Sequence, residues 1–375
     1  MAIQSIDNLI ASMSAGKMSR YDWNKVTGAA AYTAGRWYDT VTLGGSPAPT
    51  TYPGTALVAQ TYQETTGDGT TAFGIPNGGS VSADIKHALN MAAWATAATG
   101  VPATLLLCDF LMAYPGVNMN TTTNTLVNSN TVTASSSSGL LLSYTNDFTT
   151  YTQVRFTTSG TLPTGLSLAT DYWLIRVGAT SASVATSLAN AVAGTAIAYT
   201  DAGSGTHTMT VQIPRYTDGA GVRAFLEARA TTGSTGHNLT MTYTNQAGIG
   251  SRTNPVTVAA TVSAIVPHIV HSGVAANNYG PFMPMASGDS GIRSVQSMNL
   301  SIASGSASTA ALVLVRPLAD ITIGVASLMT EKDLLNQMPS LPQIKDGACL
   351  GFLVGAGANV AASTTFAGRL ETVWG

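Results

Sequence analysis

The chain has 375 residues with 16 basic and 18 acidic side chains, so its formal net charge is −2 and only 9% of its residues are charged, against about 25% in an ordinary soluble domain. That balance offers neither the basic surface that nucleic acid requires nor the acidic excess of a solvating tail, and no apolar run approaches the roughly eighteen residues of a membrane-spanning helix. With 38 glycines, 15 prolines and few ionic groups to keep copies apart in water, the composition favours an assembly component over a free enzyme.

The opening Met1-Ala2-Ile3-Gln4-Ser5 has neither the basic nor the apolar region of a secretion leader, which points to synthesis in a reducing cytoplasm. Ile6, Leu9, Ile10 and Met13 then fall at helical spacing, with Ser5 placed to cap and Gly16 to stop. This short amphipathic helix must dock on its own body or on a neighbour. Residues 17–80 are rich in turn signals. Residues 82–98 are Ala-rich and fit helix or strand, whereas the apolar run from Val101 to Met112 reads as a buried strand. Cys108 and Cys349 each sit inside apolar runs and read as buried thiols.

From 121 to 213 the composition shifts, with 34 Ser or Thr and five charges in 93 residues. Short alternating runs broken by glycine and proline predict a small β-sandwich or barrel inserted in a host domain. Beyond it, Val222 to Arg229 and Leu239 to Tyr243 alternate on either side of a Gly-containing loop and predict a hairpin. Further strands are expected at 255–266, 295–303, 309–316, 349–354 and 364–374. A short helix capped by Thr330 is expected before Pro339. The predicted fold is mainly β, with few short helices. An N-terminal helix and extended arm (1–40) precedes an antiparallel β-sandwich or jelly-roll-like host domain (41–120 plus 214–375), into which the small β-domain (121–213) is inserted.

Chemistry-bearing motifs are sparse. His268 and His271 would point to opposite faces of a strand, which does not suit a shared metal. Gly288-Asp289-Ser290-Gly291 lacks the setting of a serine nucleophile, and Gly355-Ala356-Gly357 lacks a dinucleotide fold; both read as turns. Gly16-Lys17 is not a phosphate loop. The close acid pairs Glu64/Asp68 and Glu331/Asp333 suit solvation or helix capping. The expectation is therefore no catalytic residue, no cofactor and no metal. The densest cationic and aromatic cluster is Lys17, Arg20, Lys25 and Arg36 interleaved with Tyr21, Trp23, Tyr32, Trp37 and Tyr38. Three alternatives stand for it: an arm with Arg20, Trp23, Arg36, Trp37 and Tyr38 as anchors on a partner, a loop packed on its own domain with stems reaching outward, or a nucleic-acid stacking surface, which four cations in a chain of net −2 support weakly. The apolar stretch Ala275–Met285, with Tyr279, Phe282 and Met283, must be tucked under the host or inserted into a neighbour.

The run Val154-Arg155-Phe156-Thr157-Thr158-Ser159-Gly160-Thr161-Leu162-Pro163-Thr164-Gly165-Leu166, followed by Asp171-Tyr172-Trp173 and Asp201-Ala202-Gly203-Ser204-Gly205-Thr206-His207-Thr208, resembles a β-domain of tailed-bacteriophage virion proteins. Residues 25–39 and 277–282 are also similar to phage structural proteins. The resemblance implies a virion protein made in the bacterial cytoplasm and carries over no catalytic residue; with the charge balance and hydropathy, the expectation is a non-enzymatic protein with no nucleic-acid or membrane partner. The expected role is a head decoration or cement protein binding the capsid lattice as a homo-oligomer, with the major capsid protein as partner. A major capsid protein and a tail-tube or fibre component are alternatives. From another class, a carbohydrate-binding attachment module would use Tyr172 and Trp173 of the inserted domain as a platform for a surface glycan.

Overall fold

The structure is a computed structural model that describes residues 3, 5–65, 73–135, 141–255, 257–258, 264–272 and 280–375. Its regular structure is overwhelmingly antiparallel strand, as the composition predicts, and the helices Ile6–Ser14, Leu188–Val192 and Leu334–Gln337 are short.

At the centre lies a sheet with the strand order Arg223–Ala228, Thr309–Ile323, Ala103–Asn118, Leu350–Ala356, Trp37–Asp39. Its spine is the long pairing from Thr309 opposite Asn118 to Ile323 opposite Ala103. Leu105 through Tyr114, Asp109 excepted, is apolar on both sides because both faces of the sheet are covered. The register slip between Leu314 and Val315 leaves Leu111 as an extra residue in the facing strand, and the one between Pro317 and Ala319 leaves Leu318 as an extra residue in 309–323. A one-residue bulge exchanges the alternate positions that face each side. Leu312 and Leu314 before Leu318 and Ile321 and Ile323 after it thus share one side of the sheet, while Ala311, Val313 and Val315 face the other.

Two outer sheets cover the first side. One comprises Thr330–Asp333, Lys86–Ala95, Thr365–Trp374, Met18–Val26 and Gly44–Ser46, packing Trp23, Met91, Phe366 and Leu370 onto Leu105, Leu107 and Phe352. The other contains Arg252–Thr253, Asn238–Asn245, Ile292–Leu300 and Thr123–Thr125, and packs Met241, Tyr243 and Met298 near Leu312 and Leu314. This layering is the predicted β-sandwich.

The central sheet is also closed. Residues 267–270 bridge its two outermost strands: Tyr38 pairs with His268 and Glu227 with Ile269. The Asp39 amide donates to the Pro267 carbonyl (3.1 Å) and the Ile269 amide to the Trp37 carbonyl (2.9 Å). On the other flank the Ala228 amide donates to His268 (2.9 Å) and the Val270 amide to Leu226 (2.8 Å). The ring so formed encloses Phe110, Phe225, Ile269, Val313 and Leu353, together with Tyr52, Tyr62 and Phe73 from the 41–73 connection.

Within the Thr/Ser-rich stretch, six strands from Ser129 to Val211 form a closed barrel. Val154, Phe156, Leu174, Val184, Met209 and Val211 fill it. Thr123–Thr125 pairs instead with Ser297–Asn299 of the host, so the barrel begins later than residue 121.

Several expectations change. Lys86–Ala95, which fits either helix or strand by sequence, is a strand, paired with Thr365–Trp374 on one edge and Thr330–Asp333 on the other. The 222–243 hairpin does not form: Arg223–Ala228 pairs with Thr309–Ile323 and Asn238–Asn245 with Ile292–Leu300, so the two runs lie in different sheets. Thr330 begins a strand and Asp333 caps the short helix, accepting from the Leu335 amide. The expected extended arm is largely a strand, Met18–Val26, held between Thr365–Trp374 and Gly44–Ser46.

Candidate functional site

The predicted interface residues are mostly inside this chain. Trp23 is buried against Phe352, with ring centroids 4.4 Å apart. Arg36 is buried and donates to His268 Nδ1 at 3.3 Å. Burial first, and the Arg36 charge second, push the His268 imidazole down to about 3, so a neutral ring accepts this bond. Tyr38 is buried, stacked on Tyr32 at 4.4 Å, and its hydroxyl donates to the Thr33 carbonyl. Trp37 and Phe282 are half-buried beside the ring interior, and Met283 is buried. Tyr279 lies outside the described residues. Of the cations in the cluster, Lys17 pairs with Asp84 at 2.6 Å. Lys25 is buried, donating to the carbonyls of Leu43 (3.2 Å) and Pro47 (2.7 Å). Arg20 alone is exposed. The cluster is therefore not a free cationic arm; it packs on its own domain, because its aromatic rings complete the sandwich core.

The other motifs resolve into structure as well. His271 is buried and donates through Nε2 to the Pro281 carbonyl at 3.1 Å. Asp289 of the Gly-Asp-Ser-Gly run accepts from Tyr243, Asn245 and Arg252 at 2.6–2.9 Å. Tyr172 is turned into the barrel core against Phe156, so it makes no exposed platform with Trp173. Cys108 and Cys349 are free and buried. Asp68 lies outside the described residues, and among those described no group of His, Cys, Asp and Glu could hold a metal ion.

The groups with the most altered electrostatics lie in the closed ring. Asp39 accepts from the Val41 amide (2.8 Å) and from the Tyr52 hydroxyl. Glu227 Oε1 accepts from Arg229 (3.0 Å) and Thr42 (3.3 Å), while Oε2 is buried without a partner. Burial pushes Asp39 up to about 6. Burial, and then the Asp39 charge, hold Glu227 well above the usual carboxylate range. Both carboxylates are wholly inaccessible. A narrow hollow of about 10 Å³ beside Trp23, Lys25 and Phe73 has room for about one water. The sequence carried a partial signal for Glu227, a lone acid in the 222–228 strand pattern. Alternation assigned Glu227 to a solvent face that does not exist.

The exterior is unusual in a different way. Among the described cations only Arg20 and Arg176 are exposed, against the acids Asp7, Asp22, Asp201, Asp218, Asp320, Glu331 and Asp346. Large apolar side chains are exposed on the N-terminal helix (Ile6, Ile10, Met13), in the 325–329 connection (Val325, Leu328, Met329) and on the small barrel (Leu168, Val177, Val192). No helix among the described residues is long and apolar enough to cross a membrane. A scan against models of known protein families found no match, and none was found among curated proteins.

Proposed function

We propose that this chain is a non-enzymatic structural protein of a bacteriophage virion, a head decoration or cement protein that binds the capsid lattice as a homo-oligomer. The observation that carries this reading is the exterior. Cations are consumed by internal pairs and carbonyls, leaving a weakly acidic surface with several exposed apolar clusters. Such a surface gains from being covered by neighbours. The phage-like run that supplies strands of the small barrel supports the same assignment, with the barrel as a projecting knob and the host layers as contact area. The strongly perturbed acids are sealed inside the ring, which suits structure rather than turnover.

Copy number in the source particle tests it. The stained-gel band of this protein, measured against the major capsid protein, should match a lattice stoichiometry, and purified protein should rebind particles stripped of it. A protein that is absent from particles, or stays monomeric and fails to rebind, is not a cement protein. A few copies per particle would place it on a fibre or neck instead.

A further inference from the structure

The closed ring has one weak seam. Elsewhere its strands are joined by continuous ladders, from the three residue pairs between Trp37–Asp39 and Leu353–Gly355 to the pairing that runs from Thr309 to Ile323. At residues 267–270 closure depends on four backbone bonds, two to each flanking strand. The two strands joined there carry Asp39 and Glu227. Asp39 lies next to Tyr38, which bridges His268, and Glu227 itself bridges Ile269. Both carboxyls are wholly buried with the enclosed side chains. We propose that Pro267–Val270 is a proton-controlled latch: the ring stays closed while Asp39 and Glu227 are not both ionised, and full ionisation releases the strap from its two strands.

The groups around the pair determine the direction. From the 223–229 segment, Arg229 pairs with one oxygen of Glu227 and leaves the other without a donor. From the 41–73 connection, Thr42 donates to Glu227, and Tyr52 donates to Asp39. Tyr62 and Cys108 are buried nearby and held in their neutral forms by burial. From the 18–26 strand, Lys25 contributes positive charge near Asp39 but spends its donors on two carbonyls. On the outer side, His268 is neutral and faces Arg36. Burial lowers Lys25 to about 8, so above that range its charge no longer offsets a carboxylate at Asp39. Like charges in a dry interior repel strongly. The strap has the fewest bonds to lose.

Hydrogen exchange of the full-length protein, corrected for the intrinsic pH dependence of exchange, tests the latch. Between pH 5.5 and 9 the Asp39, Ala228, Ile269 and Val270 amides should lose protection by about tenfold or more. The small barrel (residues 153–158 and 207–211) should keep its protection. Glu227→Gln should remove most of the pH dependence at the strap. Equal strap protection at both pH values overturns the proposal, as does its loss only together with the small barrel. Should Glu227→Gln fail to fold, the wild-type comparison of strap with barrel still decides the matter, and Asp39→Asn serves as the second variant.

Discussion

Arg215 grips Asp109 with both arms of its guanidinium, Nε to Oδ2 at 2.9 Å and a terminal nitrogen to Oδ1 at 2.8 Å. Asp109 is in the middle of the central strand Ala103–Asn118 and wholly buried, and Arg215 follows the last barrel strand, with φ at +65°. A non-glycine residue holds that left-handed backbone only where its surroundings determine it. Here the same side chain also donates to the carbonyls of Tyr62 (2.8 Å) and Phe110 (3.0 Å), and the Cys349 amide donates to Asp109 at 3.0 Å. The pair thus fixes the exit of the small barrel on the host sheet.

Burial raises the Asp109 carboxyl despite the guanidinium beside it, so the pair is kept by mutual satisfaction and not by surplus energy. Asp109→Ala should cost about 3–5 kcal/mol in urea unfolding, because it strands a buried cation. Asp109→Leu combined with Arg215→Met should recover much of that loss. A single-variant cost below about 1 kcal/mol would mean that the pair does not anchor the barrel.

A second expectation concerns Gly368, opposite Ala93 in the outer sheet. A Cβ there would overlap the Ala92 carbonyl oxygen and come within 2.7 Å of Trp23 Cζ2. Gly368→Ala should therefore destabilise by about 1–3 kcal/mol through overpacking. Trp23→Ala should cost about 3–5 kcal/mol through the cavity it leaves. Thermal unfolding of the two single variants measures both.

Trp23 also shows what the sequence could and could not reveal. Its strand is legible from alternation, but an Arg- and Trp-rich segment looks the same whether it anchors on a partner or on its own sheet. The partner strand Thr365–Trp374 is more than 300 residues away, and Gly368 as its receiving surface has no local signature. The failed 222–243 hairpin has a similar cause. Turn chemistry between the two runs is sound, yet Arg223–Ala228 is buried on both faces and belongs in a sheet covered on both sides. The Val101–Met112 run was readable because its apolarity, broken in the middle only by Asp109, reports burial directly. The ring closure was not, since it rests on bonds to backbone at 267–270, where side-chain pattern carries no information.

Acid should reveal Asp289. The hydrogen bond from Arg252, with those from Tyr243 and Asn245, holds its carboxyl down to about 2. A depressed folded value contributes stability that is present above the ordinary carboxylate value near 4 and is lost as pH falls through about 2. Asp289→Ala should accordingly lower the urea midpoint at pH 7, and the gap to wild type should shrink steadily as pH falls from 4 to 2. A gap independent of pH would assign the loss to packing alone.

The N-terminal helix separates folding from assembly. Ser5 caps it, accepting from the Asn8 amide at 3.1 Å. Of its apolar stripe Leu9 is buried, whereas Ile6 and Ile10 are 65% and 55% exposed and Met13 is also open. The stripe predicted to dock is therefore only one residue deep on its own body, and the remaining face is open to a neighbour, which under the proposed function is the capsid lattice. Changing Ile6, Ile10 and Met13 together to serine should leave unfolding free energy within about 0.5 kcal/mol of wild type per exposed site, while weakening rebinding to stripped particles. Leu9→Ala should do the reverse, costing about 2 kcal/mol of stability at the low end for a buried leucine. Full rebinding by the triple serine variant would exclude this helix from the lattice contact and move that role to the 325–329 cluster or the small barrel.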